Sequence, residues 1–166
     1  DPSFLKKIDI KIPKSSAYNK NILKIYSSNK NSIASNLKKR FYAKVIVHYS
    51  FGICKYKARI RQHGNQKDHI SLTHNGKVVR SLDVHLKTGN IMGIVNFKLL
   101  LPKTRRGKNE ILAALILKKS GFISPETFDV VTEVNNVKSK MLFQEKSEKE
   151  LLEKNFKRES AIFEGD

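Results

Sequence analysis

Residues 41 to 61 constrain the fold most. In the stretch Lys55-Tyr56-Lys57-Ala58-Arg59-Ile60-Arg61, the apolar Tyr56, Ala58 and Ile60 alternate with Lys57, Arg59 and Arg61. That is the period-2 pattern of a strand with one buried face and one cationic face. The preceding residues 41–49 (FYAKVIVHY) are β-branched and aromatic, and residues 50–52 carry a turn signal. Together they predict a β-hairpin.

The flanking segments extend this into an α+β layout. Residues 5–12 alternate loosely up to Pro13, as a short edge strand does. Tyr18, Ile22, Leu23 and Tyr26 are spaced for a helix, with Ser15 or Ser16 available as N-cap. Beyond the hairpin come a polar loop (HGNQKDHI), a turn at Asn75-Gly76, and strand candidates over 80–86 and 93–101, the second closed by Pro102. The strongest helix signal is RRGKNEILAALILKKSG, where Ile111, Leu112, Leu115 and Ile116 form an apolar stripe and Gly121 provides the stop. Two more strands, FDVVTEV and VKSKMLFQE, meet at Asn135-Asn136. A last helix is expected after Ser147, with Glu150 at the capping-box position. The expected fold is α+β, a twisted antiparallel sheet with the RRGKNEILAALILKKSG helix packed on it.

Charge restricts the partners. Of 33 Lys+Arg and 15 Asp+Glu, residues 1 to 120 hold 26 and 5, and residues 121 to 166 hold 7 and 10, so the net +18 divides into +21 and −3. The first two-thirds of the chain therefore attract phosphates, acidic proteins or anionic polymers. With aromatic residues at 8% and no tryptophan, a base-stacking surface is not indicated, and specific nucleic-acid recognition is not expected. No apolar run is long enough for a transmembrane helix. The single Cys54 cannot form an internal disulfide. A chain that starts without methionine and stops at Phe-Glu-Gly-Asp reads as a piece of a longer protein.

Several familiar site patterns are missing from the sequence, including GxxxxGK[ST], GxGxxG after a strand and GxSxG. The five histidines have no cysteine partners at zinc spacing, and only Asp68-His69 places a carboxylate beside an imidazole. What remains is Lys98 in a strand, followed about a dozen residues later by Glu110 at the start of the strongest helix. A strand lysine held by a helix glutamate can present an ammonium to nucleotide phosphates. Placed near a helix N-terminus, the same glutamate also simply favours the helix dipole.

In order along nearly the whole chain, ARIRQHGNQKDH, NFKLLLPKTR with the Glu110 helix, GFISPETFDVVTEVNN with MLFQEK, and ELLEKNFKRESAIFEGD resemble segments of the CotH (spore-coat) type of atypical protein kinase. The resemblance implies a kinase amino-terminal lobe at 41–143, preceded by an extension at 1–40 and followed by a hinge and the start of a second lobe at 144–166. It further implies transfer of phosphate from ATP, with Mg2+, to hydroxyls of a protein substrate. Lys98 and Glu110 would then be the catalytic ion pair. Arg59, Arg61, Gly64 and Asn65 would line the phosphates, and Phe143 and Glu145 would lie in a hinge beside adenine. Asp166 would stand in a nucleotide-contacting turn or, as a terminal aspartate more often is, simply be solvated. Gln62-His63-Gly64-Asn65 departs from the family's Arg-Gly-Asn loop. The metal-binding and catalytic aspartates of such kinases belong to a second lobe, so no metal ligand is assigned here and this piece is expected to be inactive alone. The alternative expectation is a non-catalytic basic module that binds anionic polymers or acidic proteins.

Overall fold

The computed structural model describes residues 2–162; Asp166 lies outside them. Among the described residues nine strands form, β1 (Leu5–Lys11), β2 (Phe41–Tyr49), β3 (Gly52–Gln62), β4 (Ile70–Leu72), β5 (Val78–Arg80), β6 (Leu82–Leu86), β7 (Asn96–Leu100), β8 (Thr127–Val134) and β9 (Val137–Glu145), together with helices α1 (Ser15–Tyr26), α2 (Asn109–Lys119) and α3 (Lys149–Lys154). Seven of the strands close into a barrel in the order β1-β2-β3-β6-β7-β9-β8, while β4 and β5 make a separate two-stranded sheet.

This overturns the expected open sheet with a packed helix, and with it the likeness to a kinase amino-terminal lobe. Closure comes from β1, which pairs antiparallel with β2 and parallel with β8 through Lys7↔Val131 to Ile10↔Val134. The strand expected at an edge is thus central. An alternating strand has the same in-out pattern in an open sheet and in a barrel, and a partner more than 120 residues away leaves no local mark. The seam carries side-chain bonds too. Lys7 Nζ lies 2.7 Å from Glu133 Oε2 and 2.8 Å from Asp9 Oδ1, and His48 Nε2 lies 2.8 Å from Asp9 Oδ2. Burial alone would raise the Asp9 carboxyl, but the bonds to Lys7 and His48 outweigh it and hold it below its ordinary value.

The interior follows the alternation read from sequence. Ala58 and Ile60 point inward from β3, with Ile8, Ile10, Val45, Val47, Leu82, Val84, Phe97, Leu99 and Phe143 closing around them. Phe143 stacks between Phe97 and Phe128, each at a ring distance of 4.6 Å. The β8–β9 turn forms as expected, with both Asn135 (φ 44) and Asn136 (φ 66) left-handed, the geometry a two-residue hairpin needs and that asparagine tolerates.

The helices depart further from expectation. In α1, Tyr18, Asn21, Ile22 and Ile25 are buried while Leu23 and Tyr26 face outward, and neither Ser15 nor Ser16 caps the helix. Helix α2 exists, but none of its residues is buried, and Leu112, Leu115 and Ile116 are each at least half exposed. Its residues are apolar nearly all round, so sequence spacing selected a stripe that the fold does not use. Helix α3 begins at Lys149 with Glu148 in the cap position, and Ser147 makes no cap bond. No helix among the described residues is long and apolar enough to cross a membrane.

Candidate anion-binding cleft

The outward parity of β3 that puts Ile60 in the core puts Arg59 and Arg61 on the outer barrel wall. Cross-strand register extends this wall in two rows. One row runs Arg61↔Asp83↔Lys98↔Gln144 and the other Arg59↔His85↔Asn96. Between β3, β6 and the chain leaving β9 lies a cleft of about 400 Å3, whose charged lining is Arg40, Arg59, Arg61, Lys87 and Lys146 with Asp83 and Glu148.

Asp83 holds two of these cations, Arg61 and Lys146. Its Oδ2 accepts from Arg61 Nε at 2.8 Å, and its Oδ1 lies 2.9 Å from His63 Nδ1 and 3.8 Å from Lys146 Nζ. Burial would push this carboxyl up. The hydrogen bond from His63, the charge of Lys146 and the bond from Arg61 overcome that and bring it down to about 2. Arg59 is held separately, donating from Nη2 to Tyr42 Oη at 2.7 Å with its guanidinium 4.9 Å from the Tyr42 ring centre. Lys146 is set in place by its backbone N–H, which donates to Asn96 O at 3.0 Å. Glu148 also lines the cleft and lies 3.8 Å from Lys146 Nζ, so two carboxylates face five cations, and the remaining positive surplus in a concave, partly desolvated setting favours anions.

The expected ion pair is not closed. Glu110 accepts from Gln144 Nε2 at 3.2 Å and pairs with Arg105 Nη1 at 3.5 Å, and it makes no bond to Lys98. Gln144 is nevertheless the register neighbour of Lys98 on the outer wall, so both charges stand beside the same residue on the same side of the barrel.

Gly64 and Asn65 are not part of the cleft wall. Gly64 has φ 83, and a Cβ there would stand 1.9 Å from His69 Cδ2, so the missing side chain makes room for that ring. His69 meets His63 edge-on at 5.0 Å, which links the glycine to the Asp83 cluster. Burial first, and then the neighbouring His63, lower the pKa of His69, against a smaller opposing effect from Asp68. The side chain of Asn65 accepts from Lys38 Nζ, and its carbonyl accepts from the Ile33 N–H at 2.7 Å, so this loop is fastened to residues 31–38.

The two hinge residues are structural in this fold. Phe143 is a fully buried barrel residue, and its ring has no surface to offer a base. Glu145 is 3% exposed and accepts from Lys154 Nζ at 2.8 Å and from the Glu126 N–H at 3.0 Å, tying α3 and the segment before β8 to the barrel.

No protein-family model matches the chain, and no curated protein matches its sequence.

Asp83, Arg40, Lys87 and Glu148 are the charged cleft residues that sequence reasoning missed, along with the bond of His63 to Asp83. Asp83 did leave a signal, as the one acid between Asp68 and Glu110, set among Leu82, Val84 and Leu86. No group of three His, Cys, Asp or Glu able to hold a metal occurs among the described residues. Both oxygens of Asp83 are already engaged by cations. These side chains therefore do not fit a Mg2+ site of their own, and no step is assigned to one.

Proposed function

We propose that this domain binds the triphosphate of ATP in the Asp83 cleft, keeping the nucleotide role that the resemblance to CotH-type protein kinases implies but on a closed barrel rather than on a kinase amino-terminal lobe. The observation that supports this reading is the grouping of Arg40, Arg59, Arg61, Lys87 and Lys146 around a concave space of about 400 Å3. Clefts of roughly 300–1,000 Å3 suit small ligands, and a compact ligand with several negative charges satisfies many cations at once. Guanidinium groups match phosphate oxygens in a two-pronged geometry. Lys98, next to Asp83 in register, would reach the same ligand once Glu110 exchanges Arg105 for it.

The second reading is capture of an anionic polymer or an acidic protein. Lys55 and Lys57, both exposed on the outward parity of β3, continue the positive wall beyond the cleft.

Calorimetric titration with ATP, tripolyphosphate and heparin at 50 and 300 mM salt separates the two. Nucleotide binding predicts that ATP binds more tightly than tripolyphosphate and keeps most of that margin at high salt. Affinity that follows charge alone and collapses with salt marks the polymer reading. Arg59→Gln with Arg61→Gln should weaken ATP at least tenfold, and unchanged ATP affinity in that variant would overturn the placement.

A further inference from the structure

A second cation is enclosed on another part of the molecule, with no counter-charge. Arg80 ends β5 beneath α1 and is 2% exposed. Its Nε donates to Tyr18 Oη and its Nη1 to Asn21 Oδ1, both at 3.2 Å, and its guanidinium carbon lies 4.1 Å from the Tyr18 ring centre. All of these partners are neutral. No carboxylate lies within ion-pair distance of Arg80 among the described residues, and its Nη2 is buried with no partner. A guanidinium cannot shed its proton to escape such a setting, and an enclosed charge lacking an opposite one is among the most unfavourable arrangements in a protein interior.

A second orphan donor lines the same space. Asn135 Oδ1 accepts from the Ile12 N–H at 2.8 Å, which fixes the amide orientation and makes Nδ2 a donor, and that nitrogen is buried without a partner. Arg80 and Asn135 both line a cavity of about 100 Å3, together with Tyr18, Ser139 and the exposed Asn19. At about 30 Å3 per water this is room for about three waters, or for one ion of four or five heavy atoms. It shares no lining residue with the Asp83 cleft.

We infer that the cavity between α1 and the barrel is a binding site for a small oxyanion, phosphate or a carboxylate, held by Arg80 and Asn135. The anion supplies the charge that Arg80 lacks and accepts from the two donors left over, while the net +18 of the chain keeps anions concentrated at its surface. The site stands independently of the nucleotide reading.

The test is a 1H–15N titration of the Arg80 Nε–Hε resonance with inorganic phosphate, and separately with acetate, at ionic strength held constant with chloride. The Arg59→Gln, Arg61→Gln background removes the outer cleft as a competing anion site. A saturable shift of that resonance is expected with at least one of the two ions, and whichever ion produces it identifies the ligand as phosphate-like or carboxylate. Thermal unfolding gives a second measure. The saturable rise in Tm that the ion confers should disappear in Arg80→Met, which should also melt higher than the parent in buffer free of the ion. An Arg80 resonance that moves no more with either ion than with chloride overturns the inference, as does a folded Arg80→Met that keeps the full Tm response. If Arg80→Met does not fold, the resonance titration of the parent decides alone.

Discussion

Arg61 Nε and Asp83 Oδ2 stand 2.8 Å apart as register partners on β3 and β6, and His63 bonds the other oxygen of the same carboxylate. Asp83 thus stabilises the protein beside the cations of the proposed cleft. Its carboxyl, at about 2 against an ordinary 3.8, favours the folded state above pH ~4, and this contribution is lost as pH falls towards 2. At about 1.36 kcal/mol per unit the effect is about 2 kcal/mol. Urea unfolding from pH 5 to pH 2 should show that loss, and Asp83→Asn should be less stable at pH 7 by a similar amount with a flatter acid profile. An Asp83→Asn profile that overlays the parent's would refute the assignment.

Gly64 and His69 make a second testable pair. A left-handed backbone costs a non-glycine residue about 1–3 kcal/mol, and the Cβ of alanine at position 64 would also displace the His69 ring. Gly64→Ala should lower Tm markedly, and adding His69→Ala should restore part of the loss, because only the clash is relieved. Two losses that simply add would mean that the ring is not what the glycine accommodates. The lowered pKa of His69 has its own signature. The neutral ring supports the fold at pH above about 6.5, the ordinary value, and that support is lost as pH falls through the folded value. His69→Gln should remove this slope.

Barrel interior and helix surface respond in opposite ways. Ile60 is 1% exposed, and Ile60→Ala should cost about 2–5 kcal/mol. Leu115 is 50% exposed on α2, and Leu115→Lys should change stability by less than about 0.5 kcal/mol. Chemical denaturation of both variants checks the claim, and a Leu115→Lys loss as large as that of Ile60→Ala would mean that α2 packs after all.

Much of the candidate cleft was legible one strand at a time. The Tyr56 to Arg61 alternation placed Arg59 and Arg61 outward and Ile60 inward, and the structure agrees. Lys98 was placed in a strand correctly, yet its nearest charged register neighbour is Asp83, with Glu110 turned to Arg105 and Gln144. Rotation of α2 decides that choice, and an apolar helix with little polarity between its faces does not announce its rotation. Gly64 was expected to line the phosphates, whereas in the structure it makes room for a histidine ring five residues on. Phe143 was read as lining a hinge because its strand lies near the end of the lobe that the resemblance implied, whereas the barrel takes its ring into the core.

Taken alone, the sequence determined what local chemistry controls: the β2–β3 hairpin, the facing of each β3 side chain, the asparagine turn between β8 and β9, and the excess of positive charge on the first 120 residues. These depend on side-chain alternation, turn conformation and composition, which act over a few residues or over none. Tertiary structure alone decided that the sheet closes, that β1 joins β2 to β8, that Asp83 rather than Glu110 holds Arg61 and Lys146, and that Arg80 is enclosed with no carboxylate beside it among the described residues. Each of those depends on residues far apart in the chain meeting at hydrogen-bond distance, and the entropy lost in bringing them together is repaid by the joint packing of the whole barrel.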